Sequence, residues 1–223
     1  VRQDRCAMKV GTDSMILGAW APLPSSGTLL DLGAGTGVLS LMAAQRFPEL
    51  KIHALEIDQV AARQCSENLR HSRWSDSFTI IPSAIQAWHG GPYDAIISNP
   101  PYFAGQHQAL GFERNQARAG NQLGPESFVF HLNRLLSEDG LACIVIPNDK
   151  RWLDAIQSLF VIHSGLAVSD IQTKSPKRLY LALRKSGHHS DPQAVVLKEG
   201  INGPYSSWYK SLTTEFHLPG ALR

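Results

Sequence analysis

Residues 29–32 form a short apolar run that ends at a glycine-rich turn, and residues 38–47 then carry apolar side chains at helical spacing. The same succession repeats along the chain. A strand signal at 52–56 precedes a helix over 59–70, and a third strand at 78–81 stops at Pro82. A fourth strand, 93–98, is ended by Pro100 and Pro101. After a long polar segment come a helix over 126–136, a strand over 141–146 closed by Pro147, a helix over 152–160, and strands at 168–173 and 179–184. The last two are too close together for a crossover helix and are expected to pair antiparallel. A strand-like piece at 194–197 and a short helix near 208–216 complete the pattern. Strand and helix in alternation argue an α/β domain with a mainly parallel sheet.

A chain of 223 residues, 43% hydrophobic and 18% charged, can bury one core, and no polar stretch separates two, so residues 1–223 read as a single domain. No apolar run nears the roughly 18 residues of a membrane span, and residues 1–9 lack a signal-peptide core. A soluble, cytoplasmic protein is expected. The three cysteines, Cys6, Cys65 and Cys143, lack CxxC spacing and fit a reducing compartment. Of nine histidines the close pair His188 and His189 lies between Ser and Asp in a loop-like stretch, so no metal site is expected. Net charge is only +2, and a nucleic-acid partner would need a local basic footprint.

Candidate chemistry begins at the first turn, Asp31-Leu32-Gly33-Ala34-Gly35-Thr36-Gly37, where glycines let the backbone turn sharply and approach a ligand. A dinucleotide-binding turn would read GxGxxG, whereas here the glycines fall as GxGxG and position 38 is Val. The pattern resembles the first motif of class I methyltransferases. That resemblance implies a Rossmann-like, mostly parallel seven-stranded sheet with helices on both faces, and S-adenosyl-L-methionine as cofactor. It also implies Asp31 closing the first strand, Gly33, Gly35 and Gly37 under the methionine moiety, and Glu56 accepting from the ribose hydroxyls. Many members carry an Asp after the third strand to hold the cofactor adenine. This chain has Ser83-Ala84-Ile85 there, so the contact is expected to be lost or moved to the backbone at Ala84 and Ile85.

Ser98-Asn99-Pro100-Pro101-Tyr102 follows directly on the fourth strand, at the carboxyl end where α/β sheets place their sites. A planar exocyclic amine is a poor nucleophile because its lone pair is delocalised. Two acceptors on its two N–H groups free that pair and stabilise the positive charge that develops during transfer. The Asn99 side-chain oxygen and the Pro100 carbonyl, held by successive prolines, are the expected acceptors, and Tyr102 the surface on which a base stacks.

Taken with Arg5 to Asp13, Leu17-Gly18-Ala19-Trp20 and the glycine turn, this motif resembles the bacterial tRNA adenine-N6 methyltransferases that modify a valine tRNA beside its anticodon, over nearly the whole chain. The resemblance implies Lys9, Thr12 and Asp13 closing over the methionine end of the cofactor, and tRNA as partner. The polar segment after Tyr102 carries Phe112, Arg114 and Arg118 and is a candidate lid. Lys174, Lys177 and Arg178, with Arg184 and Lys185, form a basic cluster expected along the RNA backbone. Two other functions use the same motifs: a protein glutamine N5-methyltransferase, and a methyltransferase-like fold kept for RNA binding. The former is disfavoured by the absence of a helical domain ahead of the turn, and the latter by the presence of Asp31, Glu56 and Asn99 together.

Overall fold

A computed structural model describes residues 1–4, 9–100 and 123–218. Helix α1 (Thr12–Trp20) leads into β1 (Ser26–Leu32), α2 (Val38–Arg46), β2 (Glu49–Glu56), α3 (Gln59–Arg70), β3 (Phe78–Pro82) and β4 (Tyr93–Ser98). Beyond residue 122 follow α4 (Pro125–Leu135), β5 (Leu136–Pro147), α5 (Lys150–Gln157), β6 (Val161–Ser169), β7 (Arg178–Arg184), β8 (Gln193–Val196) and α6 (Ser207–Thr213). The strands form one sheet in the order β3-β2-β1-β4-β5-β7-β6-β8. β7 runs antiparallel to both its neighbours, and every other pairing is parallel.

Two-residue periodicity in the central strands divides the core into two layers. Leu30, Leu32, Ile96, Ile144 and Ile146 point to one face, under Phe128 and Leu132 of α4 and Trp152 and Ile156 of α5. Their neighbours Leu29, Ile97, Cys143 and Val145 point to the other, under Ile16 and Leu17 of α1, Leu39 and Ala43 of α2, and Tyr209 of α6. A sheet covered on both faces needs strands that are apolar throughout, and β4 and the second half of β5 are buried almost without interruption.

Three sequence expectations are corrected. The sheet has eight strands and not seven, because the piece near residue 194 adds in parallel to β6 at the edge. The strand expected at 168–173 is Val161–Ser169 instead. His163, Ser164 and Gly165 break its apolar alternation, and the register against β7 shifts between Ile162 and Ser164. The helix expected at 152–160 begins at Lys150, because the Asp149 side chain caps it by accepting from Arg151 N and Trp152 N. The antiparallel pairing of β6 with β7 holds. Since β6 is therefore parallel to β1 and β4, the turn that follows it lies at the same carboxyl-end face as the glycine turn. Among the described residues no helix is long and apolar enough to cross a membrane.

Candidate active site

β1 delivers its buried end into a turn in which Gly33, Gly35 and Gly37 have φ of +75°, +53° and +79°. Side chains other than glycine rarely adopt that region. Gly33 N and Ala34 N donate to the Leu55 carbonyl at 2.9 and 3.0 Å, which ties the turn to the end of β2. Gly37 serves packing as well, since a Cβ there would lie 2.9 Å from Cys65 Sγ on α3, whereas a Cβ on Gly33 would meet nothing within 4 Å. The turn is closed toward α3 and open at Gly33.

Two carboxylates frame it. Asp31 is fully buried, and its Oδ2 accepts from Ser40 N at 3.0 Å and Ser40 Oγ at 2.7 Å, in the first turn of α2. Its Oδ1 is buried and has no hydrogen-bond partner among the described residues. Burial pushes the Asp31 carboxyl up to about 6, against the lowering effect of the Ser40 bonds and with a smaller push from Glu56. Glu56 ends β2; its Oε2 accepts from Gly35 N at 2.8 Å and its Oε1 from Asp58 N at 2.9 Å, and burial raises its carboxyl too. A carboxylate offers about four acceptor positions, so both groups keep capacity for a ligand. A buried carboxylate with one oxygen unpartnered among the described residues, beside an open glycine backbone, fits a cationic cofactor, as S-adenosyl-L-methionine is at its sulfonium and α-ammonium groups.

The end of β3 lies beside this frame through the Glu56–Pro82 pairing. Ile85 turns its side chain into the core, and its carbonyl accepts from Arg134 at 3.0 Å. The Ala84 carbonyl accepts from Ala87 N and Trp88 N. Both residues expected near the adenine thus sit at the right strand end, with their carbonyls engaged internally.

On the other side of β1, Ser98 Oγ donates to the Leu32 carbonyl at 2.7 Å and locks the end of β4 to the end of β1. Asn99 therefore emerges beside the glycine turn, half-buried, and donates through Nδ2 to Ser14 Oγ of α1 at 3.0 Å; Pro100 is buried. Tyr102, Phe112, Arg114 and Arg118 lie outside the described residues. Lys9 is exposed and Thr12 half-buried at the start of α1. Asp13 accepts from Tyr180 Oη at 2.9 Å and from Arg178 Nε at 3.2 Å, so α1 is braced against β7. Asp13, expected at the cofactor, and Arg178, expected on RNA, thus meet each other.

The methyltransferase small domain model matches residues 6–164. The chain is 38% identical over 222 residues to the tRNA1(Val) (adenine(37)-N6)-methyltransferase of Aeromonas hydrophila, covering 98% of this chain and 94% of that one. The Shewanella halifaxensis protein of the same name is also 38% identical, with 98% and 96% covered. The chain belongs to the bacterial tRNA(Val) adenine-N6 methyltransferase family. Among solved structures, a predicted O-methyltransferase from Agrobacterium tumefaciens superposes with a TM-score of 0.66 at 15% identity, over 91% of this chain and 95% of that one. That likeness concerns the fold alone.

In this tRNA methyltransferase family member Lys174, Lys177 and Arg178 lie at the same face as Asn99. Arg184 and Lys185, a strand length away at the far end of β7, bond to the Asp139 carbonyl and Glu138 at the opposite face and do not belong to the cluster. From the end of β4 across β5 to β7 is two strand spacings, roughly 10 Å. The cluster is partly neutralised: Lys177 Nζ pairs with Asp170 at 2.6 Å, and Arg178 with Asp13. Lys177 chiefly, with Lys174 and Lys198, holds the Asp170 carboxyl below the usual range. Lys198, just past β8, extends the cluster and was not foreseen. Nor was the seat of the N-terminal segment. Asn68 on α3 donates to the carbonyls of Arg2 and Thr36 and accepts from Arg2 N, and Gln64 donates to Asp4 Oδ1. A polar residue at a buried position of α3, as Gln64 is, was the available signal. No His, Cys, Asp and Glu group placed to hold a metal ion occurs among the described residues.

Proposed function

We propose that this protein transfers the methyl group of S-adenosyl-L-methionine to N6 of an adenine in tRNA, the adenine beside the anticodon of a valine tRNA. The observation that carries it is Asn99, fixed at the end of β4 by the Ser98–Leu32 bond and set against a glycine turn framed by two carboxylates, Asp31 buried and Glu56 half-buried. The names carried by relatives that match 98% of the chain support the substrate. The cofactor supplies an electrophilic methyl carbon on a sulfonium. Glu56 is the group to hold the ribose and the Gly33 to Gly37 turn the methionine moiety, with Asp31 facing its positive charge. Lys9, Thr12 and Asp13 cover that end, and Asp13 also braces α1 through Arg178 and Tyr180.

Asn99 Oδ1 accepts one N6 hydrogen and the Pro100 carbonyl the other, which turns the lone pair out of conjugation and stabilises the charge developing on nitrogen. As the new N–C bond forms the S–C bond would break, leaving a neutral thioether and the positive charge on nitrogen, which then loses a proton to solvent and recovers its planar form. Tyr102 provides the stacking face for an extruded base. Lys174, Lys177 and Arg178 are the groups to meet the RNA backbone, with Arg114 and Arg118 as further basic candidates outside the described residues. The reaction and the thiol content are those of a cytoplasmic enzyme.

The test offers labelled cofactor to unmodified bulk tRNA, duplex DNA and a peptide release factor in parallel, followed by digestion. Label in N6-methyladenosine from tRNA is expected. An anticodon loop presents a purine that is only partly stacked, so extrusion costs less than from a duplex. Label in N5-methylglutamine would transfer the site to the protein substrate that shares its motif.

A further inference from the structure

The eighth strand brings the chain back to the carboxyl-end face. β8 runs parallel to β6, and beyond it Leu197 N and Lys198 N donate to the carbonyls of Ser169 and Asp170 at 2.9 and 3.0 Å. Lys198 is thereby set beside the turn that carries Lys174 and Lys177. A hairpin then closes: Lys198 bridges Tyr205 antiparallel, Glu199 N donates to the Pro204 carbonyl, and Ser206 N donates to the Leu197 carbonyl.

Tyr205 stacks on the buried Tyr209 with ring centroids 4.3 Å apart, and the Lys198 ammonium lies over the Tyr205 ring, 5.7 Å from its centroid. The negative face of an aromatic ring attracts a cation without neutralising it. Lys177 differs, since its ammonium is taken up by Asp170 at 2.6 Å, whereas among the described residues no carboxylate lies within ion-pairing distance of Lys198. Asp170, held low by Lys177 first and then by Lys174 and Lys198, answers three positive charges with one negative. Glu199 is exposed, and alternation along the hairpin turns it to the other side from Lys198. An un-neutralised ammonium held in place by a ring, in a patch with excess positive charge, fits a phosphate.

From the end of β4 to that of β8 is four strand spacings, roughly 19 Å. No single nucleotide spans that distance, so an RNA with its adenine at Asn99 reaches Lys198 through a phosphate elsewhere in its anticodon arm. We propose that Lys198, held over Tyr205, binds a phosphate of the tRNA backbone several nucleotides away from the methylated adenine. The proposal rests on the tRNA reading above.

The test is single-turnover methylation of unmodified tRNA by Lys198→Glu, at rising tRNA concentration and across a salt series. The half-saturating tRNA concentration is expected to rise about threefold to tenfold near physiological salt, and the slope of log K against log salt to become about one unit shallower, because a phosphate contact and its counterion release are lost. The rate at saturating tRNA and the calorimetric affinity for S-adenosyl-L-methionine stay within about twofold of the parent, since a backbone contact this far from the reacting atoms acts on binding alone. Tyr205→Leu, which removes the ring, raises half-saturation about twofold to threefold, and Tyr205→Phe, which keeps it, restores most of the binding. If tRNA is methylated and Lys198→Glu leaves half-saturation and slope as in the parent, Lys198 is no phosphate contact and the function stands. A lower rate at saturation with half-saturation unchanged overturns the proposal equally. Label in N5-methylglutamine and none in tRNA removes the function, and the role of Lys198 with it.

Discussion

The carboxyl-end face of the sheet divides at β1 and β4 into two halves of opposite sign. On the β2 and β3 side stand Asp31, Glu56 and Asp58, set into the interior or bonded to backbone N–H groups of the glycine turn and the start of α3. On the β7, β6 and β8 side stand Lys174, Lys177, Arg178 and Lys198, answered by Asp13 and Asp170 only in part. The chain reverses direction between these halves, since β1 is followed outward by β2 and β3 while β4 is followed by β5 on the other side. Such a switch point opens a crevice at the strand ends, and here Asn99 sits in it. The acidic half suits a small cation and is built from short groups bonded to nearby backbone, from Asp31 in the interior to Asp58 at the surface. The basic half suits a polyanion and is built from long exposed side chains that can adjust to a larger ligand. These groups are a small part of the 21 basic and 19 acidic residues behind the net charge of +2, so bulk charge carries little information about the partner.

The largest test of this division falls on Glu56. Loss of a charged acceptor for two hydroxyls costs roughly 1.5–3 kcal/mol, so Glu56→Ala is expected to weaken S-adenosyl-L-methionine binding about 10–100-fold by calorimetry while tRNA affinity is nearly unchanged. Because Glu56 also holds Gly35 N and Asp58 N, Glu56→Gln is the necessary companion. It keeps an acceptor and should lose less. An Ala variant that binds the cofactor as the parent does would remove the ribose from this carboxylate.

What the sequence displayed and what it hid follow the same division. The glycine turn, Glu56 and the Asn99 motif are each local, a few residues at a strand end, and were legible because backbone conformation and chemistry coincide there. The basic half depends on pairings across the fold: Asp13 with Arg178 spans 165 residues, and Asn99 with Ser14 spans 85. No periodicity or spacing in a single sequence reports such contacts. β6 was misplaced for a local reason, since a polar triplet and a register shift obscure its alternation, and with it went the pairing of Asp170 with Lys177. The N-cap at Asp149 was readable from residue type alone and was overlooked.

A second test sharpens the acidic half through pH. The ordinary Asp carboxyl titrates near 3.8, and burial brings that of Asp31 to about 6 in the folded protein. The fold therefore holds this proton more tightly than the unfolded chain, and the associated stability is present below pH 4 and lost as pH rises through about 6. A difference of about two units corresponds to roughly 3 kcal/mol. Cofactor-free Asp31→Asn, which keeps an acceptor for Ser40, should melt higher than the parent at pH 8 and nearly equal to it at pH 4 or below. The cofactor reverses the ranking, because its positive charge stabilises the ionised carboxylate. Parent affinity should fall as pH drops below about 6, whereas the Asn variant should bind about tenfold more weakly at pH 8 and show a flatter profile. Equal melting temperatures at pH 8 would show that Asp31 is not held against its charge.

The smallest effect is expected in the basic half, and it needs a variant that leaves α1 undisturbed. Reversing Arg178 would set a carboxylate against Asp13 and unseat the brace beside Asn99, so any loss of RNA binding would have two causes. Lys174→Glu/Lys177→Glu avoids this, as neither lysine touches α1, and Lys51→Glu on β2 serves as an exposed control at the opposite end of the sheet. Each phosphate contact contributes a counterion-release increment of about 0.7–0.9 to the slope of log K against log salt. Filter binding of tRNA should show the paired variant about one to two units shallower and about threefold to tenfold weaker near physiological salt, with the control unchanged. Asp170 sets the size of this effect. Lys177 is shared with it at 2.6 Å and can contribute only what a phosphate draws away from that pair, so most of the slope change should come from Lys174. Single reversals would separate the two. A change carried by Lys177 alone would mean that Asp170 releases it on binding, and an unchanged slope in every variant would move the RNA path off the β6–β7 turn and toward Arg114 and Arg118.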